Sequence, residues 1–285
     1  MNAPLELTGL TRVFQTPAGP LIAVKDVNAH VHAGELVAII GHSGCGKSTV
    51  LSMIAGLDRA TLGRVVVDGR EVTAPGLERA MVFQRPCLLP WLSALQNVGL
   101  AVAQRADVSA GQRALLAREH LERVGIEGAA NERPSELSLG TRQCVALARA
   151  LALEPRFLLL DEPFSMLDSL TRFSLQETLL RAWESSGRSV VLVTHDVDEA
   201  LFLADRVLLM TDGPEATIGD IVEVPFARPR VRGAVLSHPQ YYGLRRSILD
   251  FLEHHSRQMR VSALDTVLKA GRQGGATLAA DSSRR

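Results

Sequence analysis

Nine residues, Gly41-His42-Ser43-Gly44-Cys45-Gly46-Lys47-Ser48-Thr49, restrict this chain more than any other stretch of it. They fit the pattern G-x-x-x-x-G-K-[ST]. The unbroken apolar run Leu36-Val37-Ala38-Ile39-Ile40 precedes them, which is how a strand buried on both faces reads. A helix-compatible stretch from Lys47 to Ala55 follows and closes at Gly56. A strand feeding a glycine-rich loop and then a helix turns several backbone N–H groups inward, with the positive end of the helix dipole behind them. Such a nest takes a polyphosphate. Glycines let the backbone wrap closely, Lys47 brings a mobile charge for the β and γ phosphates, and the Ser48 hydroxyl can ligate Mg²⁺. Only three of the 31 basic residues are lysines (Lys25, Lys47 and Lys269), so a chance match would be uncommon. The expectation is a nucleoside-triphosphate site for ATP and Mg²⁺ formed by residues 41–49.

The surroundings predict an α/β architecture. Residues 5–34 alternate apolar and polar around the breaks at Thr16-Pro17-Ala18-Gly19-Pro20, as an antiparallel strand pair does. Val65-Val66-Val67-Asp68-Gly69-Arg70 reads as a hairpin, since Asp-Gly suits a tight primed turn. From about 90 to 155 strand signals vanish, and helical periodicity takes over through Leu115, Leu116, Leu121, Val124, Val145, Ala148 and Leu151. Buried-strand runs return at Phe157-Leu158-Leu159-Leu160 and Val190-Val191-Leu192-Val193, with a helix-length stretch from about 169 to 185 between them. Strand, helix and strand in alternation predict a parallel core carrying a helical insertion. After about 225 the pattern gives a C-terminal extension with one helix near 240–255 and a disordered tail from 271.

A second polar group closes a buried strand, Asp161-Glu162-Pro163. In parallel α/β sheets ligands sit at the carboxyl ends of strands, where these acids emerge. Asp161 is then placed to hold Mg²⁺ and Glu162 to polarise an attacking water as general base. A helix cap and turn is the alternative for the tripeptide alone.

Further motifs follow in a fixed order. Val82-Phe83-Gln84, Glu136-Leu137-Ser138-Leu139-Gly140-Thr141-Arg142-Gln143, Ser165-Met166-Leu167-Asp168 and Thr194-His195-Asp196 resemble the Q-loop, signature, D-loop and switch histidine of ABC transporter ATP-binding subunits. The resemblance covers roughly residues 5–225, and it implies a P-loop NTPase (RecA-like) parallel-sheet core with an antiparallel β subdomain and an inserted α-helical subdomain. It implies ATP hydrolysis in a head-to-tail dimer, a homodimer or a pair with a homologous ATPase. Each ATP would lie between the lysine loop of one subunit and Ser138 and Gly140 of the other. Gln84 would sense Mg²⁺ and the γ-phosphate, His195 would contact that phosphate, Asp168 would link the two sites, and Phe14 would stack on adenine. Taken singly, Gln84 reads as a loop residue, His195 as a structural histidine and Phe14 as core. Their joint order is what assigns them.

Two local features carry their own expectations. Leu139 stands where the family usually has a glycine, so hydrolysis is expected to survive, and Leu139→Gly to leave it equal or higher. Cys45 lies in the nest of N–H groups, which predicts a lowered thiol pKa and alkylation blocked by ATP; an inert buried thiol is the alternative.

Composition narrows the partners. Net charge is zero, with 31 basic and 31 acidic residues, which disfavours nucleic acid. Three scattered cysteines without a C-x-x-C pair fit a reducing compartment, and neither a signal peptide nor a membrane-length apolar run is present. The expected location is the cytoplasmic face of a membrane, against integral permease subunits served by an extracytoplasmic binding protein. Cys87-Leu88-Leu89-Pro90-Trp91-Leu92 offers an apolar loop for a permease helix, with simple packing of the insertion as the alternative. Leu-Leu-Pro-Trp resembles the nitrate, sulfonate and taurine importers, and residues 228–252 resemble the nitrate branch most. A soluble, non-transport ABC ATPase or an ATP-dependent regulator is the competing class. The short stretch between Lys47 and Ser138, without heptads, and the intact Glu162 count against it.

Overall fold

The computed structural model describes residues 4–184 and 186–255. Strands β1 (Leu5–Thr16) and β2 (Gly19–Val31) pair antiparallel across the expected break, and β4 (Leu62–Val67) and β5 (Arg70–Glu71) complete a four-stranded sheet ordered β2-β1-β4-β5. The second sheet is built from β3 (Leu36–Ile40), β6 (Arg79–Val82), β7 (Phe157–Asp161), β8 (Ser189–Thr194), β9 (Arg206–Met210) and β10 (Ile218–Glu223). Its order is β10-β9-β3-β8-β7-β6, parallel throughout except for the β10 edge. Every residue of β3, β8 and β9 is buried. That burial is why these strands read as continuous apolar runs without alternation.

Helix α1 (Lys47–Ala55) leaves β3 through the glycine loop and ends on Gly56 in the left-handed conformation. The insertion holds α2 (Ala94–Val102), α3 (Arg113–Arg123) and α4 (Leu139–Ala152). Helices α5 (Ser169–Glu184) and α6 (Val197–Leu203) return to the parallel core. The apolar interior falls into two clusters divided by the parallel sheet: Leu36, Ala38 and Ile40 face the insertion side, whereas Val37 and Ile39 face α1 and the antiparallel sheet.

Three strands, β6, β9 and β10, carry no clear signal in the sequence. The first is only four residues long, and β10 is a largely exposed edge. The C-terminal extension also differs from expectation. It contains two helices, α7 (Arg232–Leu236) and α8 (241–255), not one. Five residues are too few for α7 to show periodicity. The tail expected from 271 lies outside the described residues.

Candidate functional site

The glycine loop closes on itself before any ligand is considered. Lys47 is buried, and its Nζ donates to the carbonyls of Gly41 and His42, each at 2.8 Å. This fixes the ammonium at the loop's own mouth. Gly46 has φ +101°, and a Cβ there would come within 2.5 Å of Val24 Cγ1. Both the backbone angle and the packing against β2 therefore demand glycine. Phe14 pairs with Leu21 across β1 and β2, two and three residues along from Ala23 and Val24 behind the loop, and the Arg12 guanidinium lies over its ring at 4.6 Å.

Strand ends β3 and β7 bring the two predicted halves together. Ser48 Oγ donates to Asp161 Oδ1 at 2.8 Å. Burial pushes the Asp161 carboxyl above the usual range, with a contribution from Glu162, while the Ser48 hydroxyl and Lys47 pull it back. A hydroxyl and a carboxylate held this close form a hard, oxygen-only pair of the kind Mg²⁺ prefers. Among the described residues no group of three or more His, Cys, Asp or Glu side chains could hold an ion unaided. An ion on this pair would complete its shell with ligand and water oxygens, as Mg²⁺ commonly does.

Glu162 is the centre of a second cluster. Its backbone sits at φ +46°, a left-handed angle uncommon outside glycine, and its N–H is held by the Val193 carbonyl at 2.9 Å. Strain of this sort concentrates at functional positions. His195 Nδ1 lies 3.3 Å from Glu162 Oε2, and Gln84 Nε2 lies 3.5 Å from the same oxygen and donates to Ser165 Oγ at 3.1 Å. Side chains from two further motifs thus reach one carboxylate, and Ser165 from a third holds Gln84 beside it. A base flanked by an imidazole and an amide can orient and deprotonate a water.

Among the described residues, Ser138 and Gly140 do not hydrogen-bond to the glycine loop of the same chain. The Ser138 hydroxyl caps α4 by accepting from Thr141 N–H at 3.1 Å. At Gly140 a Cβ would meet Thr171 Cγ2 at 2.3 Å, so any larger residue there would have to displace the Thr171 side chain. Leu139 is half-buried and packed against the core, so its side chain is drawn inward. Asp168 accepts from the N–H groups of Leu170 and Thr171, and these bonds hold its carboxyl below the usual range.

Cys45 corrects the expectation of an activated thiol. Burial is the leading effect and raises its pKa; Lys47 and the backbone N–H groups lower it by less. Desolvation of the thiolate outweighs the nest.

Several residues have partners that motif reading did not assign. His42 Nδ1 sits 2.7 Å from Asp212 Oδ1, tying the glycine loop to the loop after β9. Buried Gln143 on α4 donates to the Phe83 carbonyl, next to Gln84, at 3.1 Å. Buried Asn97 holds the apolar loop from inside, accepting from Leu89 N–H and donating to the carbonyls of Leu89, Leu92 and Ser93. Single polar side chains such as these gave no periodic signal, and no motif announced their partners. The loop they support leaves Trp91 66% exposed, which no packing role requires.

Comparison with known proteins agrees with this geometry. The family model described as "ABC transporter" matches residues 24–165. A nitrate import ATP-binding protein of Synechococcus elongatus is 50% identical over 242 residues, spanning 85% of this chain and 88% of that protein. The chain belongs to the ABC transporter family. A bicarbonate transport ATP-binding protein of Synechocystis is 46% identical over 252 residues, covering 88% of this chain and 89% of that one. Among solved structures, a dimeric ATP-binding cassette in a post-hydrolysis state with ADP and Pi superposes with a TM-score of 0.70. It is 33% identical and covers 78% of this chain and 100% of its own. As an ABC cassette the chain is the ATPase part of a transporter, with the P-loop NTPase core expected from its sequence. No helix among the described residues is long and apolar enough to cross a membrane.

Proposed function

We propose that this chain hydrolyses ATP to drive import of a small inorganic anion, with nitrate as the first choice of cargo. The convergence of Glu162, His195 and Gln84 beside the Ser48–Asp161 pair carries the hydrolytic part of the reading. In it, Lys47 and the N–H groups of residues 41–49 hold the β and γ phosphates, and Phe14 supports the adenine. Ser48 and Asp161, with Gln84 alongside, would hold Mg²⁺, which supplies charge neutralisation at the phosphates when bound. Glu162 takes the proton of the attacking water, and His195 orients the carboxylate and faces the γ-phosphate.

Ser138 and Gly140 complete the site from a second copy, or from a homologous ATPase. A helix tip with its dipole exposed wants an anion, and the lysine loop of its own chain lies elsewhere. The partners are integral permease subunits, met through the exposed Trp91 loop, and a binding protein across the membrane. The chain would then sit peripherally on the cytoplasmic face.

Cargo rests on relatives that carry nitrate and bicarbonate. Bicarbonate was not among the anions the sequence suggested, and sulfonate has no counterpart in these two. Nitrate and bicarbonate are both planar, singly charged oxyanions, which fits one transporter frame serving either. Deleting the gene and following uptake of labelled nitrate and labelled bicarbonate tests the reading. Loss of nitrate uptake, restored by the wild-type chain and not by Glu162→Gln, is the expected result. Unchanged uptake of both anions would overturn it.

A further inference from the structure

Helix α6 begins two residues after His195 and has only seven residues, too few to be stable alone. Its own N-terminus is well made: Asp196 accepts from Glu199 N–H at 3.0 Å. Its apolar face is buried against β3 and β8 and Gln176 of α5 bonds to it, while the polar contacts at its two ends come from the C-terminal extension. At its carboxyl end, Arg230 Nη1 donates to the carbonyls of Phe202 and Ala204, and Arg228 Nη2 donates to the Leu203 carbonyl. Those are terminal carbonyls that a helix leaves without intrahelical partners. Asp205, just beyond, anchors both arginines. On the flank, the Arg232 guanidinium stacks over Phe202 at 3.9 Å and over Phe173 of α5 at 4.1 Å. The same side chain donates to Gln176 Oε1, and Gln176 Nε2 donates to buried Glu199 of α6 at 2.8 Å. In the first turn, Asp198 accepts from Tyr241 Oη at 2.7 Å and from Arg245 Nε at 2.6 Å.

We propose that residues 228–245 form a clamp that positions His195 against Glu162 by holding α6 at both ends, so that the C-terminal extension sets the rate of hydrolysis without touching nucleotide. The proposal rests on the hydrolytic reading above. Its physical content is that His195 lies in the short link between β8 and this helix, so that rotation or fraying of the helix's first turn displaces a histidine held 3.3 Å from Glu162. The clamp residues are positioning residues. None contacts the glycine loop, Asp161 or Glu162 in the recorded bonds. Fraying of the first turn would move His195 while the lysine loop, which is braced by β2 and its own carbonyls, stays in place. Binding and turnover should therefore separate.

The test compares the full-length chain with Tyr241→Phe/Arg245→Gln, which removes the solvent-facing end of the clamp, and with Arg230→Met, which removes the buried end. Each is also made with His195→Ala. Mg-ATP hydrolysis is followed in steady state and in single turnover, and nucleotide binding is measured with a fluorescent ATP analogue. The clamp variants are expected to lose about tenfold in kcat, because small misplacements of a catalytic group are costly. KM and analogue affinity should stay within about twofold, since uniform binding is untouched. With His195→Ala present, the clamp substitutions should cost nothing further. If Arg230→Met does not fold, the surface double variant decides alone. An unchanged kcat in that variant, or an equal loss with and without His195, would overturn the clamp. A His195→Ala enzyme that turns over as fast as the wild type would instead remove the hydrolytic reading on which it stands; residual turnover is enough for the comparison.

Discussion

The lysine loop and the switch helix bound the same site but are made differently. The loop is closed by near neighbours: Lys47 reaches a carbonyl only six residues back. Helix α6 is held by Arg245, 47 residues downstream of Asp198, and by arginines that follow two whole β-strands, β9 and β10. One half is local chemistry written into nine residues. The other is a tertiary arrangement in which the histidine is supplied by one segment and its placement by another. Grip on the nucleotide should consequently be robust to changes elsewhere, whereas hydrolysis should be sensitive to remote ones.

The largest effect that sharpens this contrast is Lys47→Ala. On the proposed reading it removes the charge that grips the phosphates, and it should lower ATP turnover by about a hundredfold or more, with nucleotide binding falling as well. Filter binding and phosphate release measure the two; a variant that bound ATP normally would break the assignment of grip to the loop.

The next concerns the switch side. Burial raises the Glu199 carboxyl to about 7 from its ordinary 4.5, with Asp196 adding to the rise and Thr194, Gln176 and Arg172 opposing it. Arg232 faces it through Gln176. The folded state then holds a proton that the unfolded state releases, so stability falls as pH rises from about 4.5 to about 7 and is flat above. Glu199→Gln removes that cost, worth about 3 kcal/mol at pH 8 and little at pH 4. Thermal unfolding at the two pH values should show a stabilised variant only at the higher one. Equal shifts at both would mean that the carboxyl does not titrate as described.

Gly46→Ala comes third. It combines a left-handed backbone angle with a contact of 2.5 Å against Val24 and should cost about 2 kcal/mol of stability. Smallest is a difference in labelling. Exposed Cys87 should react with alkylating reagents well before buried Cys45 and half-buried Cys144, the latter's thiol raised to about 11 by desolvation. Mass spectrometry of partially labelled protein gives the order.

What could be read in advance follows the same division. The strand before the loop, α1 with its Gly56 stop, the β1–β2 pair and the acids closing β7 were all legible, because each rests on a local run or a fixed spacing. The convergence of His195, Gln84 and Glu162 was inferable only through motif order. Strand β9 escaped because its apolar run, Val207 to Met210, begins on the buried cation Arg206. The roles of Asn97, Gln143 and Asp212 depend on partners that no spacing announces. Cys45 was misjudged because the nest is visible in sequence and the depth of burial is not.

The central claim is that a nucleotide completes a site shared by two copies. Purified Glu162→Gln chain, mixed with Mg-ATP and examined by light scattering after size exclusion, tests it most directly. A shift from monomer to dimer, with one ATP retained per chain and the shift lost when Ser138 is also replaced by Arg, is the predicted result. A chain that binds ATP yet stays monomeric at every nucleotide concentration would contradict it.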